Sequence, residues 1–138
     1  MTRLLLVLAL AGVLAGSAAA AADTWATRAD AVCRTFVARA RAELGTTAPK
    51  TLAQAHTFTV KATTLEAENL AALRKLPGRT PAGTRALAVL RNDIVEAKAA
   101  LAAWNAGNTE LFRRRFIAWA NDHRPKRAFA AAGAHACG

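Results

Sequence analysis

Histidines and cysteines are the residues of this sequence best suited to hold a metal ion. His56 and His123 fall in two different predicted helices, and two imidazoles that face into a helical bundle can ligate haem iron or a transition metal. Alternatively, His56 faces outward and His123 only offsets the dipole of a helix end. Since no Cys-x-x-Cys-His or Glu-x-x-His motif is present, we predict no cofactor. A metal- or haem-binding bundle that uses His56 and His123 is the alternative function.

A second pair of potential metal ligands lies in the stretch His135-Ala136-Cys137. A thiolate binds metal only when it is free, and oxidation of Cys137 to a disulfide removes it. We therefore predict no metal site here.

Four acidic residues near the middle of the predicted bundle could act as general acid and base, because paired carboxyl groups exchange protons with a substrate. They are Glu66, Glu68, Asp93 and Glu96. Asp93 and Glu96 flank the apolar seam of their helix, so a solvent-facing position is favoured over a catalytic one. Asn69 lies near a seam, where a lone polar residue can fix the register of packed helices.

Positive charge in the predicted fourth helix is the strongest indication of function. The basic residues are Arg113, Arg114, Arg115, Arg124, Lys126 and Arg127. Three consecutive arginines spread over most of a helical circle, so they cannot form one compact patch. Arg113, Arg124 and Arg127 can share a face that suits anionic lipid headgroups or cell-wall polymers. Alternatively, arginine only solubilises an alanine-rich bundle.

Residues 1–22 are predicted to be a secretory signal peptide. A basic start is followed by an apolar run of 13 residues, 4–16, and by small residues that permit cleavage after Ala22. The run is short for a bilayer span, and an uncleaved anchor is the alternative. The remaining residues, 23–138, suit one domain. Loss of Arg3 changes the formal charge of the chain from +10 to +9.

The cleaved chain lacks several residue types that enzymes commonly use. The only serine is Ser17 and the only methionine is Met1, and the sequence has no tyrosine. Serine nucleophiles, tyrosine acids and methionine ligands are therefore all excluded after cleavage. We predict that the protein is not an enzyme.

The elements that must position these residues are four helices of similar length, because apolar residues recur every three or four positions and no stretch alternates like a strand. The predicted ranges are about 24–44, 52–76, 81–106 and 109–132. Thr51, Thr80 and Asn108 are suited to cap the second, third and fourth helices, and Pro125 should kink or split the fourth. Short loops between matched helices predict an up-down-up-down four-helix bundle.

The only two cysteines, Cys33 and Cys137, are expected to form a disulfide, because exported proteins oxidise their thiols. In such a bundle the first helix begins at the end where the fourth finishes. A chain that leaves its last helix at Gly133 can therefore fold back to Cys33. Two free thiols or an intermolecular bridge are the alternatives.

These residues also carry a resemblance. An alanine-rich first helix that bears Cys33, three more such helices, and the ending Gly133 with Cys137-Gly138 resemble small, uncharacterised exported helical proteins of high-GC Gram-positive bacteria. The resemblance covers residues 23–138 and implies an exported helical protein. It implies no activity.

We therefore expect a secreted protein of the extracellular or cell-envelope space. Its role is non-enzymatic, with anionic lipid or cell-wall polymer bound at the basic surface. Nucleic acid is not expected as the partner, because the aromatic residues of the fourth helix are better explained as core than as stacking platforms for bases.

Overall fold

A computed structural model describes residues 24–137, so the predicted signal peptide lies outside the described residues. The described chain forms α-helices and one 3₁₀ turn, and none of its residues lies in a strand. The elements are α1 (Trp25–Leu44), α2 (Leu52–Arg74), α3 (Pro81–Asn105), α4 (Thr109–Ala120), α5 (Arg124–Ala131) and the 3₁₀ turn His135–Cys137. The predicted all-α four-helix bundle is confirmed, with α4 and α5 together forming its fourth helix. Between residues 24 and 137, no helix is long and apolar enough to cross a membrane.

Side-chain caps fix where the helices begin. The side chains of Thr51, Thr80 and Asn108 each accept a hydrogen bond from the backbone N–H three residues later. These bonds satisfy amide groups that have no partner within the helix, and they confirm the three predicted caps. The turn between α3 and α4 is tight because Gly107 adopts a φ of 73° immediately before the cap Asn108.

The fourth helix is split rather than merely kinked. α4 ends at Ala120 and α5 begins at Arg124, with Pro125 in the first turn of the new helix. Proline lacks the N–H that would continue the hydrogen-bonding ladder. Asp122 stabilises the restart, because its Oδ1 accepts from the backbone N–H of Arg124 at 2.8 Å.

Helix α3 is the centre of the bundle and packs against α2, α4 and α5, whereas α1 packs mainly on α2 and the terminal 3₁₀ turn. The predicted seam of α3 is buried from Leu87 to Ala97, but Leu101 and Trp104 are only partly buried. Ala100 and Ala103 take the buried positions instead. A straight helix has 3.6 residues per turn, so its buried face drifts away from a strict seven-residue repeat.

A disulfide joins Cys33 to Cys137, as predicted, with the two Cα atoms 4.9 Å apart. The terminal turn is also held by Asp30, whose carboxylate accepts from the backbone N–H of Ala136 at 2.7 Å. Gly133 has a φ of 82° and releases the chain from α5 toward α1. The intramolecular bond excludes free thiols and an intermolecular bridge, and it excludes Cys137 as a thiolate ligand.

We predict that loss of this bond lowers the free energy of unfolding by about 2–5 kcal/mol, because the bond closes a loop of 104 residues. The measurement is urea unfolding of the Cys33→Ala/Cys137→Ala variant beside the oxidised protein. Reduced wild-type protein is the control, because it loses the bond without leaving a cavity at the buried Cys33. Equal urea midpoints for the oxidised and reduced proteins would contradict the prediction.

Candidate functional site

Half of the predicted basic residues are engaged in contacts within the protein. Arg113 bonds both oxygens of Glu110, at 2.8 and 3.0 Å. Arg115 donates to the backbone carbonyl of Ala99 in α3 at 2.8 Å. The Arg115 contact joins α4 to α3, and Glu110 neutralises Arg113 within α4, so less positive charge is available to a partner than the sequence suggested.

Arg124 links α5 to α3 and to the break in the fourth helix. Its guanidinium donates to both carboxylate oxygens of Glu96 at 2.8 Å and to Asp122 at 2.7 Å. These two carboxylates raise the pKa of Arg124 above its usual value. The pKa of Asp122 is lowered, because its hydrogen bonds from Arg124 outweigh the opposing effect of burial. Arg124 is therefore a structural cation.

The other three predicted basic residues, Arg114, Lys126 and Arg127, are exposed. Within residues 24–137 none of them forms an ion pair. They lie along α4 and α5, on the side of the molecule formed by the two halves of the fourth helix. These three residues are called the α4–α5 basic surface below.

A cleft of about 460 Å³ opens beside this surface, between α1 and the junction of α4 with α5. Polar groups lie on its inner side at Glu66, Asn69 and Asp93, and His123 and Lys126 lie at its exposed edge. The main apolar walls are Phe36, Phe58, Leu90, Trp119 and Phe129. This volume and mixture of surfaces are typical of a small-molecule site.

The cleft exists because α1 does not close against α4. Trp25, Ala29 and Cys33 in the first half of α1 are buried, but Phe36 and Leu44 in its second half are only partly buried. The break before α5 also interrupts the helix that would otherwise cover this side. The bundle is therefore closed at its disulfide end and open along the second half of α1.

Asp93 is the best-defined polar residue of the cleft. Its side chain is buried, with 6% exposure, and Oδ2 accepts a hydrogen bond from the indole Nε1 of Trp119 at 2.9 Å. Burial raises the pKa of Asp93 to about 6, against the opposing effects of the Trp119 hydrogen bond and the positive charge of Arg124. Its Oδ1 has no hydrogen-bond partner among the described residues.

Glu66 and Asn69 lie one turn apart on α2 and complete the inner side of the cleft. Burial raises the pKa of Glu66 to about 8, and the nearby charge of Asp93 adds to this shift. Oε2 of Glu66 and Oδ1 of Asn69 are buried without a hydrogen-bond partner in the described chain. The inner side of the cleft therefore carries three buried oxygens without a partner in the described chain, and one of them belongs to the Glu66 carboxyl group, which is largely protonated at neutral pH.

The expectation that Asp93 faces solvent is wrong. Leu90, Asp93 and Ala97 are spaced three and four residues apart, so Asp93 lies on the buried face of α3. That spacing was available in the sequence as a signal. Glu96 and Glu68 are exposed and pair with arginines, as the solvent-facing interpretation expects.

One carboxylate oxygen each of Asp93, Glu96 and Asp122 lies within 4.8 Å of the others. Arg124 already neutralises Glu96 and Asp122, and Trp119 occupies one oxygen of Asp93. This carboxylate group is therefore an internally bonded network that joins α3, α4 and α5.

The structure does not bring His56 and His123 together. The ring of His56 stacks on Trp104 at 4.6 Å and lies 6.2 Å from Phe112, near the beginning of α4. His123 is exposed beyond the end of α4, a helix of 12 residues that advances roughly 18 Å. One metal ion needs ligands within a few ångströms of each other, so the two histidines do not form a single site in this fold. His135 is exposed beside the oxidised Cys137.

Comparison with known proteins finds no family model, no curated protein and no solved structure that matches this chain. The resemblance to small exported proteins of high-GC Gram-positive bacteria stays a prediction. The surface charge and the cleft are therefore the features on which a proposed function rests.

We predict that Glu66 makes the protein less stable as pH rises. A carboxyl group whose pKa is raised in the folded state holds its proton more tightly there than in the unfolded chain. Its contribution to stability is therefore full below its ordinary pKa of 4.5 and is lost as pH rises through about 8. Relative to Glu66→Gln, the wild-type protein should lose on the order of a few kcal/mol between about pH 5 and about pH 8.5.

Denaturant unfolding of both proteins across this pH range measures the difference. Glu68→Gln is the matched control, because Glu68 is exposed and pairs with Arg39 on the outside of α2. Its stability should follow the pH dependence of the wild type. Parallel curves for the wild type and Glu66→Gln would show that Glu66 titrates normally and would refute the prediction.

Proposed function

We propose that this chain is an exported, non-enzymatic binding protein that associates with anionic components of the cell envelope through the α4–α5 basic surface. The observation that carries the proposal is that Arg114, Lys126 and Arg127 are exposed and, within the described residues, unpaired with any carboxylate. A cation that already pairs with a carboxylate has less to gain from an external anion. These three residues are therefore available to an external anion, and the proposal rests on their position together on the two halves of the fourth helix.

The rest of the exterior supports association with polyanions. Exposed cations without an ion pair inside the described chain occur on α1, α2, α3 and α4 and in the two loops that flank α2. They are Arg34, Arg41, Lys50, Lys61, Arg74, Lys75, Arg79, Arg85, Arg91, Lys98 and Arg115. Such dispersed charge produces a broad positive potential that attracts anionic polymers and weakens as salt is added.

The proposed partners come from two sources, and the same surface would bind both through their phosphate or carboxylate groups. Anionic lipid headgroups and cell-wall polymers are the two, and export by the predicted signal peptide would place the protein beside either. Nucleic acid is disfavoured, because Phe112 and Trp119 pack in the interior and do not form an exposed row of rings on which successive bases could stack.

Charge reversal tests the proposal. We expect Arg114→Glu/Lys126→Glu/Arg127→Glu to bind anionic vesicles and isolated wall fragments at least about tenfold more weakly than the wild type at low salt. The control variant Arg85→Glu/Arg91→Glu/Lys98→Glu makes the same charge change at exposed, unpaired residues of α3. It should retain most of the binding.

Co-sedimentation at several salt concentrations provides the measurement. Wild-type binding should weaken steeply with added salt. Binding to vesicles alone or to wall fragments alone would identify the source of the anion. Equal losses in the two variants would refute a localised surface, and binding that is absent at low salt or unchanged by salt would refute the electrostatic function altogether.

A further inference from the structure

The cleft holds three buried acceptor oxygens that nothing in the described chain satisfies. They belong to Glu66, Asn69 and Asp93. Asn69 and Asp93 are only 9% and 6% exposed. A buried polar atom without a partner costs roughly 1–3 kcal/mol, and native proteins keep few of them. Three such atoms around one cleft indicate a place for a hydrogen-bond donor.

The oxygens are held in position by the fold. Glu66 and Asn69 lie one turn apart on α2, so they face the same direction. Asp93 reaches the same cleft from α3, and the Trp119 indole fixes its carboxylate through the other oxygen. The fold therefore orders these acceptors in advance, but each oxygen is covered from solvent, so a donor reaches it after small side-chain movements in the wall of the cleft.

The walls of the cleft indicate what carries the donor. Phe58, Trp119 and Phe129 line the same space, which is about 460 Å³. A bare calcium or magnesium ion takes six or more oxygen ligands and gains nothing from aromatic walls. An organic cation can use both the acceptor oxygens and the aromatic walls. Its charge is attracted to aromatic faces, and its apolar part is removed from water.

We propose that this cleft binds a small organic cation, with a primary ammonium or guanidinium group that donates to Glu66, Asn69 and Asp93 and an apolar body that packs on Phe58 and Trp119. The site is separate from the α4–α5 basic surface in its chemistry, because it selects positive charge and the surface selects negative charge. The two therefore succeed or fail in different experiments.

The charged groups at the edge of the cleft do not add to the attraction, because Arg124 neutralises the nearby carboxylates and the positive charge of Lys126 opposes a bound cation. Glu96 and Asp122 lie nearby, and Arg124 holds both of them. Lys126 lines the exposed edge and, among the described residues, makes no hydrogen bond to Glu66 or Asp93.

Ionisation should couple to binding. A bound cation favours the carboxylate form, so it should lower the high pKa of Glu66 and release a proton near neutral pH. Affinity should then rise between about pH 6 and about pH 8.5. His123 is the other titratable side chain at the edge of the cleft. His123→Gln separates its contribution from that of Glu66.

The experiment is calorimetric titration of the chain 23–138 with benzylamine, hexylamine and benzylguanidine. We expect saturable binding of at least one probe, and at least about tenfold weaker binding of benzyl alcohol, which has the same ring without the charge. The indole N–H resonance of Trp119 should shift on binding. No saturable binding of any of the three cations up to about 10 mM would overturn the proposal.

Two variants locate the site. Glu66→Gln and Asp93→Asn should each weaken binding at least about tenfold, whereas the exposed control Glu68→Gln should leave it unchanged. If Asp93→Asn fails to fold, Glu66→Gln still decides the question, because glutamine closely resembles the protonated carboxyl group. Equal affinity in Glu66→Gln and the wild type would overturn the proposal. So would equal binding of benzyl alcohol, or competition by calcium or magnesium chloride alone, since these results indicate an apolar or a metal site.

Discussion

The disulfide between Cys33 and Cys137 is the constraint on which the arrangement of this bundle depends. Helix α1 packs mainly on α2 and on the terminal turn, and that turn belongs to the chain end that the disulfide secures. Around the bond, Trp25 stacks near Phe129 with ring centroids 6.5 Å apart. The bond therefore closes the bundle at the end where it begins. Farther along α1, fewer apolar contacts hold the helix against its neighbours, and this is the side on which the cleft opens.

The break in the fourth helix before Pro125 opens the bundle, whereas the disulfide closes it. It ends α4 at Ala120 and lets α5 pack against α3 and beneath the disulfide. An uninterrupted helix would cover the interior continuously, but the break exposes a gap between α4, α5 and α1. Arg124 stabilises the new direction through Glu96 and Asp122. Pro125 thus lies at the edge of the cleft, and the ion pairs of the neighbouring Arg124 stabilise this edge.

The interior and exterior of the protein have opposite electrostatic character. The exterior carries exposed lysines and arginines on every long helix, whereas the cleft contains two carboxyl groups whose pKa values are raised by burial. Burying Glu66 and Asp93 lowers stability at neutral pH, and a small alanine-rich core has little stability to spare. The covalent link between the chain end and α1 offsets such a cost. This relation gives a physical reason for a disulfide and buried acids to occur in one small domain.

Features that depend on neighbouring residues in the chain could be predicted without the fold. Threonine and asparagine caps, the glycine turns, Pro125 and the apolar periodicity fixed the number of helices and nearly all of their limits, and the two cysteines could pair in only one intramolecular way. The tertiary structure determines which arginines have partners on other helices: Arg115 donates to the backbone carbonyl of Ala99, and Arg124 is neutralised by Glu96. It also determines that Glu66 and Asp93 share a cleft. Their pKa values are raised there because burial and the charges on other helices depend on packing. Local sequence sets the direction of each side chain on its own helix, but only packing determines what that side chain meets.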